Sequence, residues 1–233
     1  MTAAGKITQQ LRALGSAEAA GHARRFFKTG PGQYGEGDLF IGIRVPVLRK
    51  LAKKLAGISR DDAGELLQSP FHEARLLALL IMTLQYKQGG HEAAIYRAYL
   101  RNTHKINNWD LVDVTAEHII GAHLFERDRK PLYRLAKSKN LWERRIAILS
   151  TFYFIRRNQF DDTLAIAGLL LNDREDLIHK AVGWMLRETG KRDLQAEETF
   201  LLPRYKKMPR TMLRYAIERF PEARRKAYLN GTL

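Results

Sequence analysis

A repeat of 35 residues in the middle of the 233-residue chain most strongly limits the folds available to it. The segments EARLLALLIM, NWDLVDVTAE, RRIAILSTF and HKAVGWMLRE align at this period, and one column of the alignment contains Arg75, Asp110, Arg145 and Lys180. The columns that follow are mostly apolar. Two helices per repeat at such a spacing are typical of an α-solenoid, in which the second helix of each pair lines a concave face. A non-repetitive helical bundle with a chance register is the alternative.

Helical periodicity extends beyond the repeat. Apolar residues recur every three or four positions, which predicts helices over residues 45–56, 71–86, 92–101, 109–121, 142–155, 163–171, 176–187 and 210–219. Clusters of Gly, Pro, Asn and Asp separate these segments, and no alternating pattern of useful length indicates a strand. The sequence therefore predicts an all-α fold, which we expect to form a single domain over residues 1–233.

The composition suggests a polyanionic partner. The chain has 40 Lys and Arg residues against 25 Asp and Glu residues, a net charge of +15, which favours nucleic-acid binding although basic proteins without that role exist. The absence of cysteine excludes disulfides, thiolate catalysis and cysteine-ligated metal sites. The seven histidines show no metal-binding spacing. We therefore expect neither a metal ion nor another cofactor.

The sequence contains no recognisable targeting or membrane segment. The N-terminal stretch MTAAGKITQQLRALGS has charged residues and glutamines where a secretory signal needs an apolar run. No stretch approaches the roughly 18 consecutive apolar residues of a membrane span. These features predict a cytoplasmic protein without a membrane partner, and a monomer because no oligomerisation signal is present.

The segment WDLVD, residues 109–113, departs from the repeat. Trp109 and Asp113 are four residues apart and therefore share one helix face, in columns that are otherwise mostly small or apolar. A carboxylate at such a position costs free energy to bury unless it is paired or functional. A solvated or ion-paired residue is the alternative explanation of Asp113 by itself. Asp110 has a simpler explanation, because an acidic residue in the first helical turn complements the helix dipole.

Two later segments contain residues that complement this pair. LWERRIAIL places Arg145 one repeat after Asp110, and KAVGWMLRE places Trp184 and Arg187 three residues apart on one helix face. Stacked repeats would bring these side chains onto one concave wall together with Trp109 and Asp113. Two aromatic side chains, a carboxylate and two guanidinium groups suit a cationic group next to phosphate. Taken singly, each Trp is more often a core residue and each Arg more often a surface residue.

These three segments, WDLVD, LWERRIAIL and KAVGWMLRE, resemble motifs of the AlkD-type DNA alkylation repair proteins, in the same order and at the same spacing. The resemblance runs from LFIGIRVPVLRKL, residues 39–51, to about residue 220, and the loop over residues 30–38 looks longer than usual. It implies a HEAT-like repeat solenoid and a DNA glycosylase that releases 3-methyladenine and 7-methylguanine. It also implies that the duplex is held in a groove without flipping of the damaged base.

Carried over to this sequence, the resemblance implies that Trp109, Asp113 and Trp184 line the catalytic cleft, while Arg145 and Arg187 bind the DNA backbone around the lesion. Further basic residues in the C-terminal half are candidates for phosphate contacts: Lys137, Lys139, Arg156, Lys180, Lys191, Arg192 and the RYKK segment at 204–207. The expected partner is duplex DNA that contains alkylated bases, and binding through phosphates should depend strongly on salt.

The residues fit this chemistry. An N3- or N7-alkylated purine is a cation, so it leaves without prior protonation, and a carboxylate such as Asp113 stabilises the positive charge that develops on the sugar. Indole faces attract cationic bases by about 0.5–2 kcal/mol each. Two alternatives stay open. A non-catalytic DNA-structure-binding protein would still bind DNA without Asp113, and a helical-repeat adaptor would bind an acidic protein instead.

Overall fold

The computed structural model describes residues Thr2–Leu233 and confirms the prediction of an all-α fold. In this part of the chain there is no β-strand, and an isolated parallel bridge joins Leu39 and Phe71. The described chain divides into two compact units, one ending at Thr115 and the other running from Ala116 to Leu233. The prediction of a single domain over residues 1–233 stays a prediction, as does the solenoid arrangement of the repeats.

The first unit contains seven α-helices and a short 3-10 turn at Thr103–Lys105. The helices are α1 (Ala3–Leu14), α2 (Ala17–Phe26), α3 (Val45–Lys54), α4 (Arg60–Leu67), α5 (His72–Gln88), α6 (Glu92–Arg101) and α7 (Trp109–Asp113). Helix α5 is the centre of this unit, because all residues from His72 to Thr83 are buried and α3, α4, α6 and α7 pack against it. A helix that is buried on every side needs apolar residues all round, and LLALLIM provides them.

The second unit begins with a π-helical turn, Glu117–Gly121, and contains nine further α-helices. They are α8 (Ala122–Leu124), α9 (Lys130–Ala136), α10 (Leu141–Ser150), α11 (Phe152–Ile155), α12 (Asp161–Leu169), α13 (Asp176–Gly190), α14 (Leu194–Leu201), α15 (Arg210–Ala216) and α16 (Glu222–Asn230), with a 3-10 turn at Ile217–Arg219. Helices α10 and α13 form its core and pack against each other.

Helices α13 and α15 approach each other closely at a glycine. A Cβ atom at Gly183 would lie 2.4 Å from the backbone oxygen of Met212 and 2.5 Å from the Cβ of Tyr215. No larger residue fits at that distance without movement of the backbone. The glycine in KAVGWMLRE therefore has a packing function that the sequence alone does not reveal.

The helix periodicity located most helices but misjudged several boundaries. The predicted helix over 109–121 ends at Asp113, and the predicted helix over 142–155 is interrupted at Thr151. Both breaks have a threonine whose hydroxyl bonds to a backbone carbonyl one turn earlier: Thr115 to Leu111 at 2.6 Å and Thr151 to Ile148 at 2.7 Å. Such side-chain bonds compete with helical backbone bonds. Helices α1, α2, α4, α8, α9, α14 and α16 lie outside the predicted segments.

The four aligned repeat segments lie on or across α5, α7, α10 and α13. None of the helices between Thr2 and Leu233 combines the length and the apolar character needed to cross a bilayer.

Candidate functional site

Helix α7 carries both residues of the predicted Trp–Asp pair in the first unit. Its first turn is capped by Asn108, whose side-chain oxygen accepts a hydrogen bond from the backbone N–H of Trp109 at 2.9 Å. The three residues between Trp109 and Asp113 are buried, whereas these two are only partly buried. The helix therefore packs against its own unit and leaves both predicted site residues accessible.

The indole of Trp109 belongs to an aromatic cluster that sequence analysis missed. It stacks on Phe27, with ring centroids 5.3 Å apart, and meets the edge of Phe26 at 5.8 Å. Phe40 also stacks on Phe27, with ring centroids 5.2 Å apart. Phe26 is 65% exposed, which is unusual for a phenylalanine. The adjacent phenylalanines at the end of α2 were the only sequence signal of this cluster.

Asp113 acts electrostatically on Tyr99, a fully buried residue of α6. Burial raises the pKa of the Tyr99 hydroxyl, its hydrogen bond with Thr115 at 2.9 Å lowers it, and the negative charge of Asp113 raises it again. The Tyr99 hydroxyl is therefore neutral and stays a hydrogen-bond donor or acceptor at every physiological pH. Asp113 itself is partly exposed.

A buried network of charged residues lies directly behind α7. His72 contacts Asp110 at 2.8 Å through Nε2 and Asp38 at 3.2 Å through Nδ1. Asp38 also accepts hydrogen bonds from Arg75 at 2.7 Å and from Asn107 at 2.9 Å. These hydrogen bonds of Asp38 and His72 join residues that lie 34 or more positions apart in sequence, so no local pattern indicates this network.

The network keeps its charges. Burial lowers the pKa of His72, but the hydrogen bonds to Asp110 and Asp38 outweigh it and raise the pKa to about 9. Burial raises the pKa of Asp38, but His72, Arg75 and Asn107 together lower it below its usual value. At neutral pH the imidazole of His72 is therefore protonated and donates from both ring nitrogens.

The loop over residues 30–38 reaches this network. A Cβ atom at Gly35 would lie 2.4 Å from the backbone oxygen of Phe27 and 3.5 Å from the side-chain nitrogen of Asn108. The backbone at Gly35 thus passes close to both the aromatic cluster and the N-cap of α7. Asp38 follows three residues later, so this loop supplies one of the carboxylates that hold His72.

In the second unit, Trp184 lies on the partly exposed side of α13. Its Nε1 donates a hydrogen bond to Glu188 at 3.2 Å, and its ring meets the edge of Phe152 at 5.7 Å. The guanidinium of Arg156 lies over the same Phe152 ring, 4.4 Å from its centroid. Of the three tryptophans, Trp142 is in the core, whereas Trp109 and Trp184 are both partly exposed.

The two predicted arginines have different environments. Arg187 forms ion pairs with Glu218 and, at 3.7 Å, with Glu188, and it is partly exposed. Arg145 is 5% exposed and donates a hydrogen bond to the backbone oxygen of Leu177. In this structure its guanidinium therefore links α10 to the start of α13, and its predicted contact with DNA stays a prediction.

The remaining basic candidates are surface residues of the second unit. Lys137, Lys139, Lys191 and Arg192 are exposed. Lys180 pairs with Asp176 at 2.6 Å, Lys191 with Glu188 at 2.7 Å, and Arg156 with Glu117 at 3.0 Å. In the RYKK segment, Lys206 and Lys207 are exposed, while Tyr205 is buried. The exposed pair Lys180–Asp176 contributes little to stability, so Lys180 can exchange its carboxylate for a phosphate at low cost. Glu117, the partner of Arg156, is buried, so the same exchange costs more free energy there.

Within the second unit, α10 and α13 bring Arg145, Trp184 and Arg187 onto two helices that pack directly against each other. Within the first unit, α7 keeps Trp109 and Asp113 together. Among residues Thr2–Leu233, no group of three His, Cys, Asp or Glu side chains has a geometry suited to a metal ion.

Comparison with known proteins assigns the chain to a family. The sequence model of the family described as DNA alkylation repair enzyme matches residues 7–220. The chain belongs to this family. The resemblance inferred from the three sequence motifs is thereby confirmed. No curated protein sequence matches the chain significantly.

Solved structures support the assignment at the level of the fold. A predicted DNA alkylation repair enzyme from Enterococcus faecalis has a TM-score of 0.68 at 17% identity, over 89% of this chain and 97% of that one. AlkD2 from Streptococcus mutans has a TM-score of 0.56 at 17% identity, over 88% and 98%. The protein smu.31 from Streptococcus mutans UA159 has a TM-score of 0.53 at 18% identity, over 95% and 100%.

Proposed function

We propose that this member of the DNA alkylation repair family is a DNA glycosylase that hydrolyses the N-glycosidic bond of cationic N3- or N7-alkylated purines in duplex DNA. The observation that carries the proposal is the partial exposure of Trp109 and Asp113 on a helix whose intervening residues are buried. Trp109 packs on Phe26 and Phe27 and still exposes part of its indole, on the same helix face as a partly exposed carboxylate four residues later. The substrates are 3-methyladenine and 7-methylguanine.

The reaction requires no general acid. The bond between C1′ and the purine nitrogen breaks, and the positively charged base takes the electron pair and leaves as a neutral purine. Positive charge develops on the deoxyribose, water adds to C1′, and the water loses a proton to solvent. Asp113 stabilises the developing cation and orients the water. Its partly buried position strengthens this effect, because a charge acts more strongly where water is partly excluded.

The aromatic residues recognise the positive charge of the damaged nucleotide. A purine cation or the oxocarbenium-like sugar is attracted to an indole face by about 0.5–2 kcal/mol. Trp109 is fixed by its stack on Phe27, and Trp184 by its hydrogen bond to Glu188. Both rings are therefore held before DNA binds, so little conformational entropy is lost on binding.

DNA binding depends mainly on phosphate contacts by the basic residues of the second unit. The net charge of +15 and the exposed lysines Lys137, Lys139 and Lys191 support this part of the proposal. Contacts to phosphate carry no sequence information, so affinity should fall steeply with salt and vary little with sequence. Arg187 contributes by exchanging Glu218 for a phosphate.

The proposal is tested by measuring base release from a duplex containing 7-methylguanine at a single position, under single-turnover conditions. Asp113→Asn keeps the shape of the side chain but removes its charge, so we expect the rate to fall about 100-fold. The exposed carboxylate Asp61 lies in the same unit, and Asp61→Asn is the matched control, with an unchanged rate expected.

Duplex binding measured by fluorescence anisotropy separates catalysis from recognition. We expect Asp113→Asn to bind within about threefold of the wild type, because phosphate contacts dominate affinity. If the wild type binds duplex but releases no base, the protein is a non-catalytic DNA-binding member of the family. If duplex DNA does not bind at moderate salt, both DNA-directed functions are wrong.

A further inference from the structure

Helix α7 is too short to determine its own orientation. It has five residues, Trp109–Asp113, and a helix of one to two turns is not stable by itself in water. The direction in which Trp109 and Asp113 point must therefore be set by whatever holds the start of this helix. Residues Asn107 to Asp110 form that start, and three of these four residues use their side chains for hydrogen bonds within the first unit.

These anchoring bonds converge on the buried charged network. Asn107 donates to Asp38 at 2.9 Å and accepts from Arg75 at 3.1 Å. Asp110 accepts from His72 at 2.8 Å. The other carboxylate oxygen of Asp110 is buried and has no hydrogen-bond partner. In the described part of the chain, the contact with His72 is therefore the one hydrogen bond that fixes this carboxylate.

We propose that His72 is a positioning residue for base release, which holds α7 by bridging Asp38 and Asp110 and thereby sets the direction of Trp109 and Asp113. This inference rests on the proposed glycosylase function. His72 acts through α7, because it is buried behind this helix. It is not itself in contact with DNA.

A protonated imidazole suits this bridge. Its two ring N–H groups diverge in the plane of the ring, so it donates to Asp38 and to Asp110 at once, whereas a neutral imidazole donates from only one nitrogen. The rings of Phe40 at 4.6 Å and Phe27 at 5.0 Å enclose it. Phe27 also stacks on Trp109, so the imidazole supports both the start of α7 and the indole.

The charges around His72 are balanced when the imidazole is protonated. Asp38 approaches from the loop before α3, Asp110 from α7, and Arg75 from the next turn of α5. Glu73 also lies on α5, and its carboxylate accepts hydrogen bonds from the backbone N–H groups of Ile41, Gly42 and Ile43. Arg44 lines the same cleft and is exposed. Loss of the proton from His72 leaves a carboxylate facing a nitrogen lone pair.

The first experiment compares His72→Gln with the wild type. Glutamine retains a polar group but cannot bridge both carboxylates, so we expect single-turnover release of 7-methylguanine to fall by about 10- to 100-fold. Duplex affinity should change less than about threefold. Leu67→Ala is the control for lost stability, since Leu67 is fully buried in the same unit on α4 and does not belong to the network. Its rate should stay within about twofold of the wild type at a temperature where it is folded.

The second experiment uses the pH profile of Asp110→Asn. This variant removes a carboxylate that raises the pKa of His72, so the imidazole loses its proton at a lower pH. We expect base release by the wild type to stay within about twofold between pH 6.5 and 8.5, and release by Asp110→Asn to fall about 10-fold over that range. A residue that only stabilises the fold would lower the rate equally at each pH.

Hydrogen exchange measures how firmly α7 is held, and it does not require catalytic activity. Backbone amides of residues 109–114 should exchange at least about 10-fold faster in His72→Gln than in the wild type, while those of α5 stay protected. Unchanged exchange in α7, or a rate of base release within twofold of the wild type, would overturn the inference. A wild type that releases no base refutes the proposed function instead, and the exchange rates then decide whether His72 positions α7.

Discussion

The two units hold their accessible tryptophans by different physical means. In the first unit, Trp109 is on a helix of five residues whose start is held by buried ions: Asp38, His72, Arg75 and Asp110. In the second unit, Trp184 is on the 15-residue helix α13, which is held by close packing against α10 and α15. A short helix needs directional bonds at its end, whereas a long one is fixed by its buried face.

This difference predicts which kinds of substitution should destabilise each unit. Buried ion networks are strongly directional but fail when one partner is removed, because a charge is left without compensation. Close helix packing fails only when volume is added or removed. We therefore expect the first unit to respond most to the removal of a charged partner, and the second unit to respond mainly to changes of size, apart from the titration of one buried carboxyl group, Glu197.

The largest effect should follow removal of Asp38, which serves His72, Arg75 and Asn107 together. Asp38→Ala leaves two buried cations without their shared carboxylate, and we expect the free energy of unfolding to fall by about 3–5 kcal/mol. Urea unfolding followed by circular dichroism measures this. The exposed Asp61 provides the control, since Asp61→Ala should cost less than about 0.5 kcal/mol. A loss below about 1 kcal/mol for Asp38→Ala would show that the ions do not hold this unit.

Added volume at Gly183 should produce a comparable effect in the second unit. A Cβ atom there would lie 2.4 Å from the backbone oxygen of Met212, so Gly183→Val forces α13 and α15 apart. We expect a loss of about 3 kcal/mol in the free energy of unfolding, measured by urea unfolding. At Gly168, on α12, the nearest atom would lie 4.0 Å away. Gly168→Ala should therefore stabilise the protein, by about 0.5–1 kcal/mol.

A buried carboxyl group in the second unit lacks the partners that Asp38 has. Burial raises the pKa of Glu197 to about 8, the charge of Glu198 adds to this, and Arg187 only partly opposes it. One of its oxygens has no hydrogen-bond partner. The folded protein keeps a proton on Glu197 between pH 4.5 and 8, while the unfolded chain releases it. The free energy of unfolding therefore falls as pH rises through this range.

The expected slope is about 1.4 kcal/mol per pH unit between pH 6 and 7, because one extra proton is bound in the folded state. Glu197→Gln should remove this slope and stabilise the protein at pH 7.5. Urea unfolding of both proteins at several pH values makes the comparison. His72 also lowers the free energy of unfolding as pH rises from 6.5 to 9. The contribution of Glu197 is therefore the difference in slope between the wild type and Glu197→Gln. Equal slopes in the two proteins would contradict the assignment to Glu197.

The smallest effect is expected at the one hydrogen bond that holds the indole of Trp184. Glu188→Ala removes the acceptor of that bond, 3.2 Å from Nε1, and the carboxylate that pairs with Lys191 and Arg187. Because packing holds α13, we expect a loss of less than about 1 kcal/mol in the free energy of unfolding. The same urea titration measures it. A loss as large as that of Asp38→Ala would mean that the two units do not differ in this respect.

Helical periodicity and three short motifs allowed much of this protein to be predicted from its sequence. They indicated an all-α fold, the positions of α5, α10 and α13, and membership of the DNA alkylation repair family. Helix periodicity is a local property, because residues three or four apart share one face whatever the rest of the chain does. For the same reason the pairing of Trp109 with Asp113 on α7 could be predicted from their spacing.

Only the tertiary structure revealed what holds α7. His72 and Asp38 are 34 residues apart, and His72 and Asp110 are 38 apart, so no local pattern links them. From the sequence, the helix dipole was a sufficient explanation of Asp110. In the structure, its carboxylate accepts a hydrogen bond from the buried imidazolium of His72. Arg145 likewise donates to a partner distant in sequence, the backbone oxygen of Leu177, 32 residues away. The cost of burying a charge depends on which groups surround it in space, and the folded chain alone determines that.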